Sequence, residues 1–246
     1  MTYRAAIWHD VECGSYDADL ALWEELTSPG DTVLDIGCGT GRVALQLARR
    51  ARQVTALDRD PQLLEVLAHR AERAGLDVTT VRADARDFDL GSAVDAVFAP
   101  MQFIQLFHGA AERAEMLARA AAHLRPGGVF ATTLMNLEGE LLDDDYGPPP
   151  PDMREVDRWV YSSLSVGVHL VERGGAIVIE RVRTAVSPEG RQSRSVDEIR
   201  LELVAPGTLE AEIAAAGMTV WERRDIPATE DHVASVVVVA SRPEGA

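Results

Sequence analysis

A single α/β domain organised around a parallel sheet is the fold this sequence predicts, and three observations predict it. Thr32–Arg42 (TVLDIGCGTGR) sets the short apolar run Val33, Leu34 and Ile36 before three glycines, and Val43, Leu45, Leu47 and Ala48 follow without Gly or Pro. That pattern reads as buried strand, tight turn and helix. Further apolar runs of strand length, Val54–Leu57, Val78–Val81, Asp95–Ala99 and Val129–Leu134, alternate with segments of helical period. Between residues 152 and 205 the pattern changes to three strand-like runs, 158–172, 176–186 and 193–204, separated by Gly-containing turns, as in antiparallel hairpins.

The bulk properties narrow the function. At 246 residues the chain accommodates one large domain with an insertion, so 1–246 is read as one unit with a helical cap over 1–30 and a β insertion over 152–205. The formal net charge of −16 opposes a nucleic-acid partner, because phosphate contacts need clustered Lys or Arg. Two cysteines, Cys13 and Cys38, do not make a disulfide framework. Residues 1–10 carry no signal-length apolar run and Val233–Ala240 is too short to span a bilayer, so a cytoplasmic protein without a membrane partner is expected.

From the start of the chain, Tyr16, Leu20, Trp23 and Leu26 recur at helical spacing within Ser15–Thr27, and Ser28-Pro29-Gly30-Asp31 stops that helix. His9, Asp10 and Glu12 precede it as polar groups that solvent would equally satisfy. At the glycine turn, backbone of positive φ can approach a ligand closely, and the first amides of the next helix point outward with partial positive charge. Asp35 adds a carboxylate for a cation. A P-loop is excluded because it needs a lysine after the last glycine, and all 24 basic residues are arginine. A dinucleotide fingerprint needs a small residue three after Gly39, where Arg42 stands.

The spacing G-x-G-x-G with an acid two residues before it resembles motif I of the class I S-adenosylmethionine-dependent methyltransferases, whose cofactor carries an ammonium and a carboxylate. Leu124-Arg125-Pro126-Gly127-Gly128 before a strand is a second point of resemblance. The resemblance implies a seven-stranded Rossmann-like sheet of order 3-2-1-4-5-7-6, its last strand antiparallel, with the β insertion as a lid over the active site. The small-molecule enzymes of the class carry such a lid. The cofactor implied is S-adenosyl-L-methionine, the acceptor a small molecule methylated at N or O with an amine favoured, and a homodimer through the insertion is a possible assembly. An NAD-dependent reductase or a non-catalytic cofactor-binding protein of the same fold are the alternatives.

Mapped residue by residue, the resemblance gives a cofactor set. Asp35 meets the ammonium; Gly37, Cys38 and Gly39 line the turn; Tyr16 closes over the methionine end. Asp58, 21 residues beyond Gly37, grips the ribose hydroxyls with Arg59 beside it. Asp84 and Ala85 meet the adenine, and Met101 forms the wall beyond the fourth strand. Gln102, Gln105, Asn136, Tyr161 and His169 are the candidate acceptor contacts. His232, placed at the start of the last strand, and Glu138 are the candidate bases, and no metal site is expected.

Overall fold

The computed structural model describes residues 4–135, 150–171, 175–230 and 232–245. The elements run α1 (Arg4–Cys13), α2 (Leu20–Glu25), β1 (Thr32–Ile36), α3 (Ala44–Leu47), β2 (Gln53–Asp58), α4 (Pro61–Ala74) and β3 (Val78–Arg82). There follow β4 (Val94–Ala99), α5 (Gly109–His123), β5 (Leu124–Met135), β6 (Asp152–Val156), β7 (Trp159–Val171), β8 (Ala176–Val186) and β9 (Gln192–Glu202). The chain ends with α6 (Pro206–Ala215), β10 (Thr219–Ile226) and β11 (Ser235–Ser241).

The main sheet has the order β3-β2-β1-β4-β5-β11-β10. Strands β1 to β5 pair in parallel, and β11 is antiparallel to both β5 and β10. This is the predicted 3-2-1-4-5-7-6 sheet. Every residue of β1 is buried, which follows from its central place and from helices on both faces. Alternation divides its side chains between two cores. Leu34 and Ile36 face Met116 and Leu117 of α5 and Leu209 and Ile213 of α6. Val33 faces Trp23 of α2, Leu47 of α3, and Leu64 and Leu67 of α4.

Helix α4 begins and ends where its sequence says. Asp60 caps it through the amide of Gln62, Pro61 occupies its first turn, and Gly75 closes it at φ +65°. The helix after the glycine turn is shorter than its pattern suggests, since Gly41 to Val43 remain in turn geometry and α3 is one turn long.

Beyond β5 lies a separate antiparallel sheet, β6-β7-β8-β9, with one strand more than the sequence reading. The additional strand β6 turns into β7 through Asp157 and Arg158, at φ +51° and +68°. A two-residue turn with both positions at positive φ ordinarily carries Asn-Gly or Asp-Gly, so Asp-Arg hides the hairpin. Helix α1, which the sequence reading left as a polar stretch, buries Ala6, Trp8 and Val11. Trp8 and Val11 share a small core with Tyr161 and Ala185 of the lid sheet, so α1 is wedged beneath that sheet.

Candidate functional site

The carboxyl ends of β1, β2, β4 and β5 open on one side of the main sheet, where ligands bind in open parallel sheets. Gly37 and Gly39 sit there at φ +72° and +55°. Both are also required by close packing. A Cβ on Gly37 would come within 2.2 Å of the Phe103 ring, and one on Gly39 within 2.1 Å of His9 Nε2.

Asp35 is 1 % exposed, and neither of its carboxylate oxygens meets a donor in hydrogen-bond geometry among the described residues. Burial raises its carboxyl to about 7, against the opposing pull of Arg42 and of the Ala44 amide. A buried carboxylate without a partner is costly in the free protein and is the group an incoming ammonium would satisfy. The unfolded chain releases this proton near 3.8 and the folded chain near 7. Inside that window the folded state binds more protons, so it loses stability as the pH rises and levels off above about 7. Asp35→Asn removes the titration. Its melting temperature relative to the parent should climb from about pH 4 to about pH 7 and then hold, while calorimetry should show cofactor affinity reduced about tenfold or more. A difference independent of pH would count against a buried ionisable Asp35.

Asp58 is fixed beside the glycines: its Oδ2 accepts from the Gly39 amide at 3.0 Å and its Oδ1 from the Asp60 amide at 2.9 Å. Each oxygen keeps a lone pair for a ribose hydroxyl. Arg59 is exposed beside it. Cys38 is buried behind the turn, where burial and the nearby Asp35 and Asp58 carboxylates push its thiol upward. Asp84 is at the surface, and Arg86 forks it, Nε to Oδ1 at 3.0 Å and a terminal nitrogen to Oδ2 at 2.7 Å. That side chain and the Arg86 amide hold the Asp84 carboxyl down at about 2. An adenine amino group would therefore share Asp84 with Arg86, beside the buried Ala85. Met101 is one of three non-glycine residues at positive φ among the described residues, +53°, at the point where the chain leaves β4. Such strain concentrates at ligand sites. Gln102 is half-buried beside it.

Tyr16 is buried, with its backbone carbonyl accepting from Arg42 at 3.0 Å and the guanidinium 5.1 Å from its ring centroid. The His232 ring also lies against Tyr16, centroids 4.8 Å apart and planes tilted by 44°. It stands in the loop before β11 rather than at the strand's start, because the strand begins at Ser235. Ser235 pairs with Met135 at the carboxyl end of β5, so His232 lies on the ligand side.

Three candidate acceptor contacts are otherwise engaged. Gln105 is buried, its Nε2 donating to the Glu202 carbonyl at 2.8 Å and its Oε1 accepting from the Met135 amide at 2.7 Å. It is a strut between the main sheet and the lid. Tyr161 packs edge-on against Trp8 at 5.3 Å inside the cap and lid core. His169 is exposed on β7, 3.7 Å from Glu180. Asn136 and Glu138 lie outside the described residues.

Several residues that sequence reasoning passed over hold the site together. Asp10 takes two bonds from Arg70 and one from Thr40, and Glu12 takes two from Arg183 of β8 and one from Ser163 of β7. One turn of α1 thus ties the glycine loop and α4 to the lid. Only the position of Asp10 and Glu12, six and four residues before Tyr16, hinted at this.

The chain matches the methyltransferase domain family over residues 33–128, from β1 into β5. The cypemycin N-terminal methyltransferase of a Streptomyces species is 35% identical over 113 residues, 45% of each chain. The chain spans about half the length of the curated relatives it matches. Among solved structures, the sugar N-methyltransferase from Streptoalloteichus superposes with a TM-score of 0.77 at 23% identity, covering 99% of this chain and 94% of that one. The S-adenosylmethionine-bound amino pentose methyltransferase from Micromonospora echinaspora gives a TM-score of 0.71 at 24% identity over 98% and 97%. At these identities the likeness to the solved structures is one of fold. No helix among the described residues is long and apolar enough to cross a membrane. An acid-before-glycine turn, a match to the methyltransferase domain family over residues 33–128 and the order of the main sheet thus converge: the chain carries a methyltransferase domain in a Rossmann-like fold similar to that of S-adenosylmethionine-dependent methyltransferases.

Proposed function

We propose that the protein methylates a small-molecule nucleophile, an amine in preference to a hydroxyl. The observation that carries this reading is the enclosure of the ligand side. Cap helix α1, bonded to the glycine loop through Asp10 and Thr40, packs on the four-stranded lid through Trp8 and Tyr161, and Gln105 ties the lid to the end of β5, which supports a compact acceptor over a macromolecule. Structures of like fold include a sugar N-methyltransferase and an amino pentose methyltransferase.

A cleft of about 390 Å³ lies between the end of α1 and β6, with Asp10, Gly14, Ser15, Asp152 and Arg154 in its walls. Burial raises the Asp152 carboxyl, against the pull of Arg181, which donates to it at 3.0 Å, and of His232. The wall carboxylates are paired, Asp10 with Arg70 and Asp152 with Arg181, so the preference for a cationic or amine acceptor rests on the chain's net charge of −16. A cationic amine must lose a proton before its lone pair can attack.

When bound, S-adenosylmethionine would supply an electrophilic methyl whose carbon takes the acceptor lone pair, the electrons of the carbon–sulfur bond returning to sulfur. What the chain contributes is placement. Asp35 and the glycine turn hold one end of the cofactor, Asp58 the ribose, and Tyr16 with His232 roofs the opening. Alignment of this kind accounts for most of the acceleration in such transfers. We assign to His232 the removal of the acceptor's proton, which must leave before the nitrogen lone pair attacks. The test is incubation with S-adenosylmethionine and a panel of amines, amino sugars, phenols and acids, read by mass spectrometry. A gain of one methylene mass on amines is expected. Methylation confined to protein or RNA would overturn the reading.

A further inference from the structure

One imidazole stands directly on the glycine loop and is absent from the cofactor set described so far. His9, on α1, presents Nε2 as the atom nearest to where a Gly39 Cβ would lie. Its other nitrogen, Nδ1, is 3.2 Å from Thr40 Oγ1. The Thr40 hydroxyl has one proton and donates it to Asp10 Oδ1 at 2.7 Å. That carboxylate is pinned in turn by Arg70, which donates to the same oxygen at 3.0 Å and to the Thr40 carbonyl at 3.2 Å. With its proton committed to Asp10, the Thr40 oxygen can only accept from His9, so Nδ1 carries the imidazole proton. Burial holds the His9 ring below its ordinary range, outweighing Asp10 and Asp58, which pull the other way. The ring is therefore neutral, and Nε2 is a bare acceptor that bonds no group among the described residues.

Its neighbour across Gly39 is informative. The Gly39 amide donates to Asp58 Oδ2, which places the Asp58 carboxylate beside the same residue that His9 covers. Asp58 and His9 thus present two acceptors at one glycine. A ribose carries two adjacent hydroxyls, each a donor, and each Asp58 oxygen already receives a backbone amide. A second acceptor at this place matches the second hydroxyl.

We propose that His9 Nε2 accepts a hydrogen bond from a ribose hydroxyl of the cofactor, alongside Asp58, which makes helix α1 part of the cofactor site. His9 is oriented for this by Thr40, and Thr40 by the Asp10–Arg70 pair. The proposal rests on the cofactor and not on the identity of the acceptor.

The test is a cycle between residue and ligand. S-adenosylhomocysteine and its 2′-deoxy and 3′-deoxy analogues are titrated calorimetrically into wild-type protein and His9→Phe, which keeps the ring and removes the nitrogens. His9→Phe should weaken S-adenosylhomocysteine about 3–10-fold and leave the affinity for one of the two deoxy analogues unchanged. An equal loss for all three ligands would assign the ring to packing and overturn the proposal. Tighter binding by the variant would overturn it too, by showing a ring that the cofactor must displace. If His9→Phe does not fold, wild-type protein labelled with ¹⁵N-histidine decides. Addition of S-adenosylhomocysteine should move the His9 Nε2 resonance while Nδ1 stays protonated, and an unmoved Nε2 overturns the proposal. Wild-type protein without affinity for S-adenosylhomocysteine would overturn it together with the cofactor itself, an outcome distinct from normal binding that is insensitive to His9.

Discussion

Replacing Arg42 by alanine should lower the melting temperature by roughly 10 °C, on the scale of about 3–5 kcal/mol for removing one partner of a buried ion pair in a chain of this length. The Arg42 guanidinium donates to both oxygens of Asp19, whose side chain is 1% exposed, and to the Tyr16 carbonyl. Without it, Asp19 retains the Trp23 indole donor at 2.9 Å and is otherwise a buried charge. The double variant Arg42→Met, Asp19→Leu should recover much of the loss, since replacing both partners with apolar groups removes the desolvation cost on each side. Scanning calorimetry on the two variants checks this. An Arg42→Ala protein melting within about 2 °C of the parent would leave the pair without the structural role given to it here. With Tyr16 in the closing role proposed for it, cofactor affinity should fall as well, because the same guanidinium holds that residue.

The second large effect is kinetic. His232→Ala should lower kcat about 10²–10⁴-fold at neutral pH, the range typical of a lost general base, with a far smaller loss of cofactor affinity from the missing contact to Tyr16. The loop that carries it is closed on itself: the Thr229 amide donates to the His232 carbonyl at 2.8 Å and the His232 amide to Thr229 Oγ1 at 3.0 Å. Its backbone is thereby fixed and its ring is set against Tyr16. The defect should shrink toward alkaline pH, where an amine acceptor deprotonates without help. A kcat unaffected between about pH 6 and pH 9 would leave alignment alone as the source of catalysis.

What could be read in the chain, and what could not, divides along the range of the interactions. The glycine turn and the strand runs are set by neighbours within a few residues, and each was legible. Topology then put the His232 loop on the ligand side, since an antiparallel last strand must begin there. Helix α1 was not legible, because the partners of Asp10 and Glu12 lie 30 to 171 residues away and a short polar helix without them has no pattern of its own. Gln105 was misassigned for the same reason. An amide after a strand's carboxyl end resembles a substrate ligand until its two bonds, to Met135 and Glu202, are seen. Tyr161 and Trp8 found each other across the lid, and nothing near either residue in sequence announces that contact.

The unpartnered carboxylate of Asp35 also has a calorimetric signature. Because its proton is released near neutral pH in the free protein, binding an ammonium beside it expels the fraction of a proton it still holds. The heat of cofactor binding should then vary with the ionisation enthalpy of the buffer, with a slope equal to the protons released. That slope should be greatest below about pH 7, fade at alkaline pH, and lose the Asp35 contribution in Asp35→Asn, so that two buffers of different ionisation enthalpy suffice to count the proton that leaves as the cofactor enters.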